Sequence, residues 1–336
     1  MENLSQTPQY LTENLPKITI ITPSFNQGQF IEETILSVIN QNYPNLEYII
    51  IDGGSTDETV GIIKKYEKWI SYWVSEPDEG QSDAINKGLA RATGDVFNWL
   101  NSDDYYLPNA LLTVGKAFAE NRNLNIFCGK ERQISEDKTT DFVTNGTTIC
   151  GTLEETIAVG NNNQPPTFMR LDVVKKLGGL NKELYFCMDA ELWINYLVNY
   201  GLNGVEKHDV VLNVFRLHDL AKSSKSMNLY YKDRFNLLFS LANSLDSVFY
   251  PLSILDKNEL FDPKSQKKYS FSNDINQQQL AGFISQKIIE KHAQNLDWLT
   301  FFKLYFHVFL IQKFDSKIRF YISPLIKLKR VFFPIK

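Results

Sequence analysis

The sequence predicts an α/β fold with a Rossmann-like, mostly parallel sheet flanked by helices. Apolar, β-rich runs at 17–22, 46–51, 70–75 and 95–100 alternate with stretches whose apolar residues recur at helical spacing. Such alternation builds βαβ units on a parallel sheet. The polar groups that packing explains poorly are Ser24 with Asn26, Asp52, and Asp103 with Asp104, and each falls where such a run ends. Ligands of open α/β sheets bind beyond those ends.

Residues 17–22 are the first strand, broken by the turn Pro23-Ser-Phe-Asn26, and Phe30, Ile31, Ile35, Val38 and Ile39 mark a helix over 28–40. The second strand, 46–51, stops at Asp52-Gly-Gly-Ser55. A helix from about Thr56 is expected to be capped by Ser55 or Thr56, with Asp57 and Glu58 complementing its dipole. A strand at 70–75 and a helix at about 82–92 precede the strand at 95–100, which runs into Asp103 and Asp104.

Beyond about 121 the pattern loosens into strands at 125–131 and 139–149, a polar loop from Gly160, and a helix at 171–177 ended by Gly178-Gly179. An amphipathic helix follows at 188–200. From about 225 the chain reads as mainly helical, with a polar segment, 256–275, expected to be a mobile loop. These boundaries give an N-terminal extension (1–16), an α/β domain (17–222) and a helical C-terminal extension (223–336).

The net charge of −4 argues against nucleic acid as a partner. Cys128, Cys150 and Cys187 are odd in number and lack Cys-x-x-Cys spacing, which fits a reducing compartment rather than a disulfide framework or zinc site. A polar N-terminus and the lack of an 18-residue apolar run predict a cytoplasmic chain, soluble or membrane-peripheral. The segment 298–336 stands apart, with eight Lys/Arg against the single acid Asp315 and eleven interleaved aromatics. That composition suits peripheral contact with an anionic membrane at its inner face, and equally a terminal helix packed on the domain.

Two adjacent carboxylates after a buried strand suit a hard divalent cation such as Mg²⁺ or Mn²⁺, which takes oxygen ligands and bridges carboxylates to substrate phosphates. A solvated turn is the alternative.

Residues 17 to about 222 resemble the family 2 glycosyltransferases, inverting enzymes of GT-A fold that use nucleotide-sugar donors. The phrases that carry the resemblance are Thr22-Pro-Ser-Phe-Asn26, Asp52-Gly-Gly-Ser-Thr-Asp57, Asp78-Glu-Gly80-Gln-Ser-Asp83-Ala-Ile-Asn86-Lys-Gly88 and Asn101-Ser-Asp-Asp104. Later come Gln164-Pro-Pro-Thr-Phe168, Gly178-Gly-Leu180, Asp189-Ala-Glu-Leu-Trp193 and Arg216-Leu-His218. Each phrase alone is weak, and their joint order over some 200 residues is specific.

The resemblance implies that Thr22, Pro23 and Asn26 line the nucleotide site, and that Asp52 accepts a hydrogen bond from the base, with uracil N3–H a fitting donor. It implies that Asp78, Gly80 and Asn86 close over the donor, with Asn101 and Ser102 beside it and Gln164 shaping the sugar pocket. Asp103, with Asp104 in support, would hold the metal on the diphosphate, and His218 and Lys222 would reach the metal or the phosphates. Asp189 would be the general base that removes the acceptor hydroxyl's proton. The acceptor would be a glycan or lipid-linked glycan.

Asn101 departs from the family's Asp-x-Asp, which begins with aspartate, and one formal charge is missing. That departure leaves open a catalytically inactive, sugar-nucleotide-binding partner protein. A nucleotidyltransferase is disfavoured because the loop from Pro23 to Gly28 carries no cation, and a dinucleotide oxidoreductase because Gly-x-Gly-x-x-Gly is missing after the first strand.

Overall fold

The computed structural model describes residues 14–135, 137–219, 221–222, 227–245 and 262–292. The tail expected to touch membrane, 298–336, lies outside the described residues. Among those described, no helix is long and apolar enough to cross a membrane.

The first half follows the predicted alternation. β1 (Ile18–Ser24), α1 (Ile31–Ile39), β2 (Leu46–Asp52), α2 (Thr59–Lys65), β3 (Tyr72–Ser75), α3 (Gln81–Arg91) and β4 (Val96–Trp99) succeed one another. Every residue of β1 and β4 is buried, because helices cover both faces of the sheet. β1 pairs in parallel with β2 and β4, and β2 with β3. The register sets Ser24 beside Asp52 and Asp52 beside Ser75, so three strand ends stop at one level.

The second half is mixed. β5 (Tyr105–Tyr106), α4 (Ala110–Glu120), β6 (Ile126–Ser135), β7 (Asp141–Val143), α5 (Leu153–Val159), β8 (Thr167–Arg170), α6 (Leu171–Lys176), α7 (Met188–Tyr200) and β9 (Val205–Leu217) follow. The sheet runs β3-β2-β1-β4-β8-β6-β9-β5, with β7 on β6. β8 is antiparallel to both β4 and β6, whereas β6 and β9 run parallel.

Several expectations are corrected. The strand expected over 139–149 shrinks to β7, whose three residues are exposed and so gain little from pairing. α2 begins at Thr59 and is capped neither by Ser55 nor by Thr56, because Asp57 Oδ1 takes the Thr59 N–H at 3.0 Å. Residues 262–275, expected to be mobile, are packed, with Tyr269 and Ile275 buried. Two further helices, α8 (Met227–Ser244) and α9 (Gln277–His292), put Phe235, Leu238, Leu280 and Ile284 into the same core as Trp193 and Ile194 of α7.

Candidate active site

A cleft of about 480 Å³ opens where the parallel strands end. Of the expected site residues, Pro23, Asp78, Gly80, Asn101, Ser102, Asp103, Gln164, Asp189 and Lys222 line it. The structure gives the others supporting positions.

On the side of β1 and β2, Thr22 is fully buried with its Oγ1 3.1 Å from the Tyr48 hydroxyl. Asn26, at φ 52°, accepts the Thr56 N–H at 2.9 Å and so ties the loop after β1 to the loop after β2. Asp52 is turned inward. It is fully buried, and its Oδ2 accepts from the Gly54 and Ser55 N–H groups (3.2 and 2.9 Å) and from Ser75 Oγ (2.6 Å). Its Oδ1 accepts from Ser55 Oγ at 2.5 Å. These partners occupy a carboxylate's roughly four acceptor positions, so Asp52 closes the turn after β2 in this structure.

Asp78 is the carboxylate that faces the cleft from this side. A Cβ on Gly53 would come within 2.7 Å of its Oδ2, so any side chain there would press on the Asp78 carboxylate. The Gly80 N–H donates to Asp78 Oδ1 at 2.8 Å, with Gly80 at φ 112°, a conformation suited to glycine, where the chain turns into α3. Asn86 points away from the cleft. Its amide donates to the Leu180 carbonyl at 2.8 Å and accepts the Leu180 N–H at 2.9 Å, fixing α3 to the loop after α6.

The adjacent pair after β4 is split. Asp103 faces the cleft, and its Oδ2 lies 3.2 Å from His218 Nε2. Asp104 is only 1 % exposed and accepts the Arg216 N–H at 3.0 Å. Burial, followed by the charge of Asp103, pushes its carboxyl well above the usual range. Asp104 thus braces the turn that presents Asp103 to the cleft. Arg216 clamps that turn a second time, its Nε donating to the Asp103 carbonyl.

No group of three His, Cys, Asp or Glu among the described residues forms a metal cage. Asp103 with His218 nevertheless fits a cation completed by substrate, since Mg²⁺ is commonly held by one or two carboxylates plus phosphate oxygens.

Asn101, the departure from the family pattern, is held in a relay. Lys222 Nζ donates to Gln81 Oε1 at 2.9 Å, and Gln81 Nε2 donates to Asn101 Oδ1 at 2.7 Å. Burial depresses Lys222 to about 8, against the raising charges of Asp233 and Asp189. At the far end, Asp189 sits in the first turn of α7 and faces the cleft, its carboxyl raised by burial. Gln164 is anchored by its amide to Asn98 Oδ1 and the Trp99 carbonyl, both at 2.8 Å.

Sequence reasoning missed several residues lining the cleft, among them Glu131, Asn163, Phe25 and Tyr185. Phe25 and Tyr185 are 59 % and 54 % exposed. An aromatic inside the phrase Thr22-Pro-Ser-Phe-Asn26 is the signal that could have found Phe25, whereas Glu131 and Tyr185 carry none.

A mostly parallel sheet with helices on both faces and an acidic cleft at the strand ends places the site where open α/β sheets bind their ligands. Residues 19–177, somewhat under half of the chain, match the family model "Glycosyl transferase family 2". An uncharacterized glycosyltransferase of Haemophilus influenzae is 29 % identical over 262 residues, covering 69 % of this chain and 80 % of that one. An uncharacterized glycosyltransferase of Mycobacterium tuberculosis is 42 % identical over 92 residues, 27 % of this chain. The match spans only 35 % of that relative's length. The crystal structure of S. aureus TarS 1–349 with UDP-GlcNAc superposes with a TM-score of 0.58 at 17 % identity, covering 83 % of this chain and 74 % of that one. The fold is GT-A.

Proposed function

We propose that this chain is an inverting glycosyltransferase that moves one sugar from a nucleoside-diphosphate sugar to a hydroxyl of a glycan or lipid-linked glycan. The observation that carries this reading is the cleft itself, with Asp103 and His218 at one end and Asp189 facing the same space. UDP is the favoured nucleotide, supported by the family match and by a fold neighbour crystallised with UDP-GlcNAc.

Asp103 and His218 would hold Mg²⁺ or Mn²⁺ together with the donor's diphosphate, and the cation would offset the charge on the departing nucleotide. Lys222, close to the same end through Gln81 and Asn101, adds a cation for the phosphates. Asp189 takes the proton of the acceptor hydroxyl as that oxygen bonds to the anomeric carbon. The bond from that carbon to the phosphate oxygen breaks on the opposite face, its electron pair leaving with the nucleoside diphosphate. Attack opposite the leaving group inverts the anomeric configuration, as in inverting hydrolysis with a hydroxyl in place of water. Contact of the basic, aromatic segment 298–336 with an anionic bilayer would bring the cleft to a lipid-linked acceptor.

The test is binding and slow hydrolysis of UDP-, GDP- and dTDP-sugars, each with Mn²⁺ and with EDTA. Metal-dependent binding and turnover of one nucleotide class supports the reading. Binding without turnover under any condition favours an inactive sugar-nucleotide-binding partner.

A further inference from the structure

The turn that leads into α7 supplies one wall of the cleft, through Tyr185, Phe186, Met188 and Asp189. That turn is held from α8, which begins at Met227, past residue 222 where the resemblance ends. Asp233 of α8 is 9 % exposed, and its Oδ2 accepts the Phe186 N–H at 2.6 Å. Burial raises its carboxyl, while the backbone N–H groups of Phe186, Cys187 and Tyr185 pull it back down.

The start of a helix leaves backbone N–H groups that need acceptors from elsewhere. α7 begins at Met188, and Asp233 brings an acceptor to the residue two before it, across 47 residues of chain. The side chains of the turn are packed as well. Tyr185 meets Phe186 edge to face with ring centres 4.9 Å apart, and Lys222 Nζ lies 4.0 Å from the centre of the Tyr185 ring.

The next side chain of α8 grips a second loop of the same cleft. Arg234 is 3 % exposed, its Nη1 donating to the Gly160 carbonyl at 3.0 Å and its Nη2 to the Val159 carbonyl. Gly160 is the left-handed C-cap of α5, and a Cβ there would come within 2.5 Å of Ile194 on α7. From Gly160 the chain runs into Asn162, Asn163 and Gln164, which line the cleft. Two consecutive buried residues of α8 therefore tie down both the turn that carries Asp189 and the loop that carries Gln164.

Proton removal during an in-line displacement depends on where the base stands. A misplacement of about 1 Å can cost about a hundredfold in rate even when the change that causes it lies away from the chemistry. Asp189 is three residues from the anchored N–H, on the same turn.

We infer that Asp233 is a positioning residue for the transfer: by holding the Phe186 N–H it fixes the turn that aims Asp189 at the acceptor hydroxyl. This inference rests on the reading of Asp189 as the general base.

The experiment is donor hydrolysis in Mn²⁺ at saturating donor, with kcat expressed per folded molecule, for the full chain, Asp233→Asn and Asp233→Ala. The donor is the sugar nucleotide that the wild-type chain turns over fastest in the UDP, GDP and dTDP panel. Both variants remove a negative charge that acts on Lys222, so a change in nucleotide affinity should be common to the two. Only asparagine keeps an oxygen that can accept the Phe186 N–H. kcat should fall about tenfold or more in Asp233→Ala and stay within about threefold of wild type in Asp233→Asn. A lower denaturant midpoint in Asp233→Ala with wild-type kcat per folded molecule marks a purely structural residue and overturns the inference. A loss in Asp233→Asn as large as in Asp233→Ala also overturns it, since charge and not the hydrogen bond would then be at work. If the alanine variant does not fold, hydrogen exchange in the wild-type chain joins the asparagine result. The Phe186 amide should exchange slowly, and exchange as fast as an exposed loop amide overturns the inference. Normal turnover by Asp189→Asn, or none by the wild-type chain with any donor, removes the underlying reading instead, and this inference with it.

Discussion

Asp103 Oδ2 lies 3.2 Å from His218 Nε2, although 115 residues separate them along the chain. The contact exists because β9 ends beside the turn after β4, where Arg216 holds both the Asp103 carbonyl and the Asp104 carboxylate. On this account the pair is the protein's share of a cation site. Asp103→Asn and His218→Ala should each reduce the gain in nucleotide affinity on adding Mn²⁺ about tenfold or more. Titration calorimetry with Mn²⁺ and with EDTA checks this, and affinity in EDTA should barely change.

Asp52 is predicted to matter for folding rather than for base recognition. Asp52→Ala strips partners from two backbone N–H groups and two serine hydroxyls in a buried turn. It should cost about 2–4 kcal/mol, read as a lower denaturant midpoint. Nucleotide affinity, measured on the folded fraction, should fall far less than it does for the metal-site variants.

Lys222 gives a pH signature. Its ammonium is depressed to about 8 by burial, so the free protein loses that charge as pH rises through about 8. A diphosphate prefers the charged form and holds it. Affinity for the nucleoside diphosphate should therefore be flat below that point and fall above it, and the fall should vanish in Lys222→Met. Dissociation constants between about pH 7 and pH 9.5 decide it.

The C-terminal segments should prove integral to the site. Lys267 Nζ sits 2.6 Å from Glu191 Oε1, and Glu191 is fully buried on the helix that presents Asp189. Lys267→Met leaves an uncompensated buried carboxyl and should cost about 3 kcal/mol or more by chemical denaturation. Replacing the whole pair by Met should recover part of that loss.

Much of this arrangement is legible along the chain. A buried strand running into two aspartates, and an aspartate opening an amphipathic helix, need only local pattern to be seen, and both stand in the structure as β4 and α7. What local pattern cannot give is the direction a side chain takes. Asp103 and Asp104 are neighbours of one type, and it is the Arg216 N–H from distant β9 that draws one inward. Asp52 likewise meets Ser75 only because β2 pairs with β3 in that register. Glu131 carries no sequence signal, since the amides that hold it come from β6 and from the loop before β8. The packing of 262–275 escaped notice because a lysine that neutralises a buried glutamate reads as solvated polarity.

Whether Asp189 removes the acceptor's proton is decided by Asp189→Asn. Donor turnover should be measured on the metal-loaded chain alongside nucleotide binding. Turnover should fall about a thousandfold with nucleotide affinity kept within about twofold. Turnover at the wild-type rate would contradict it.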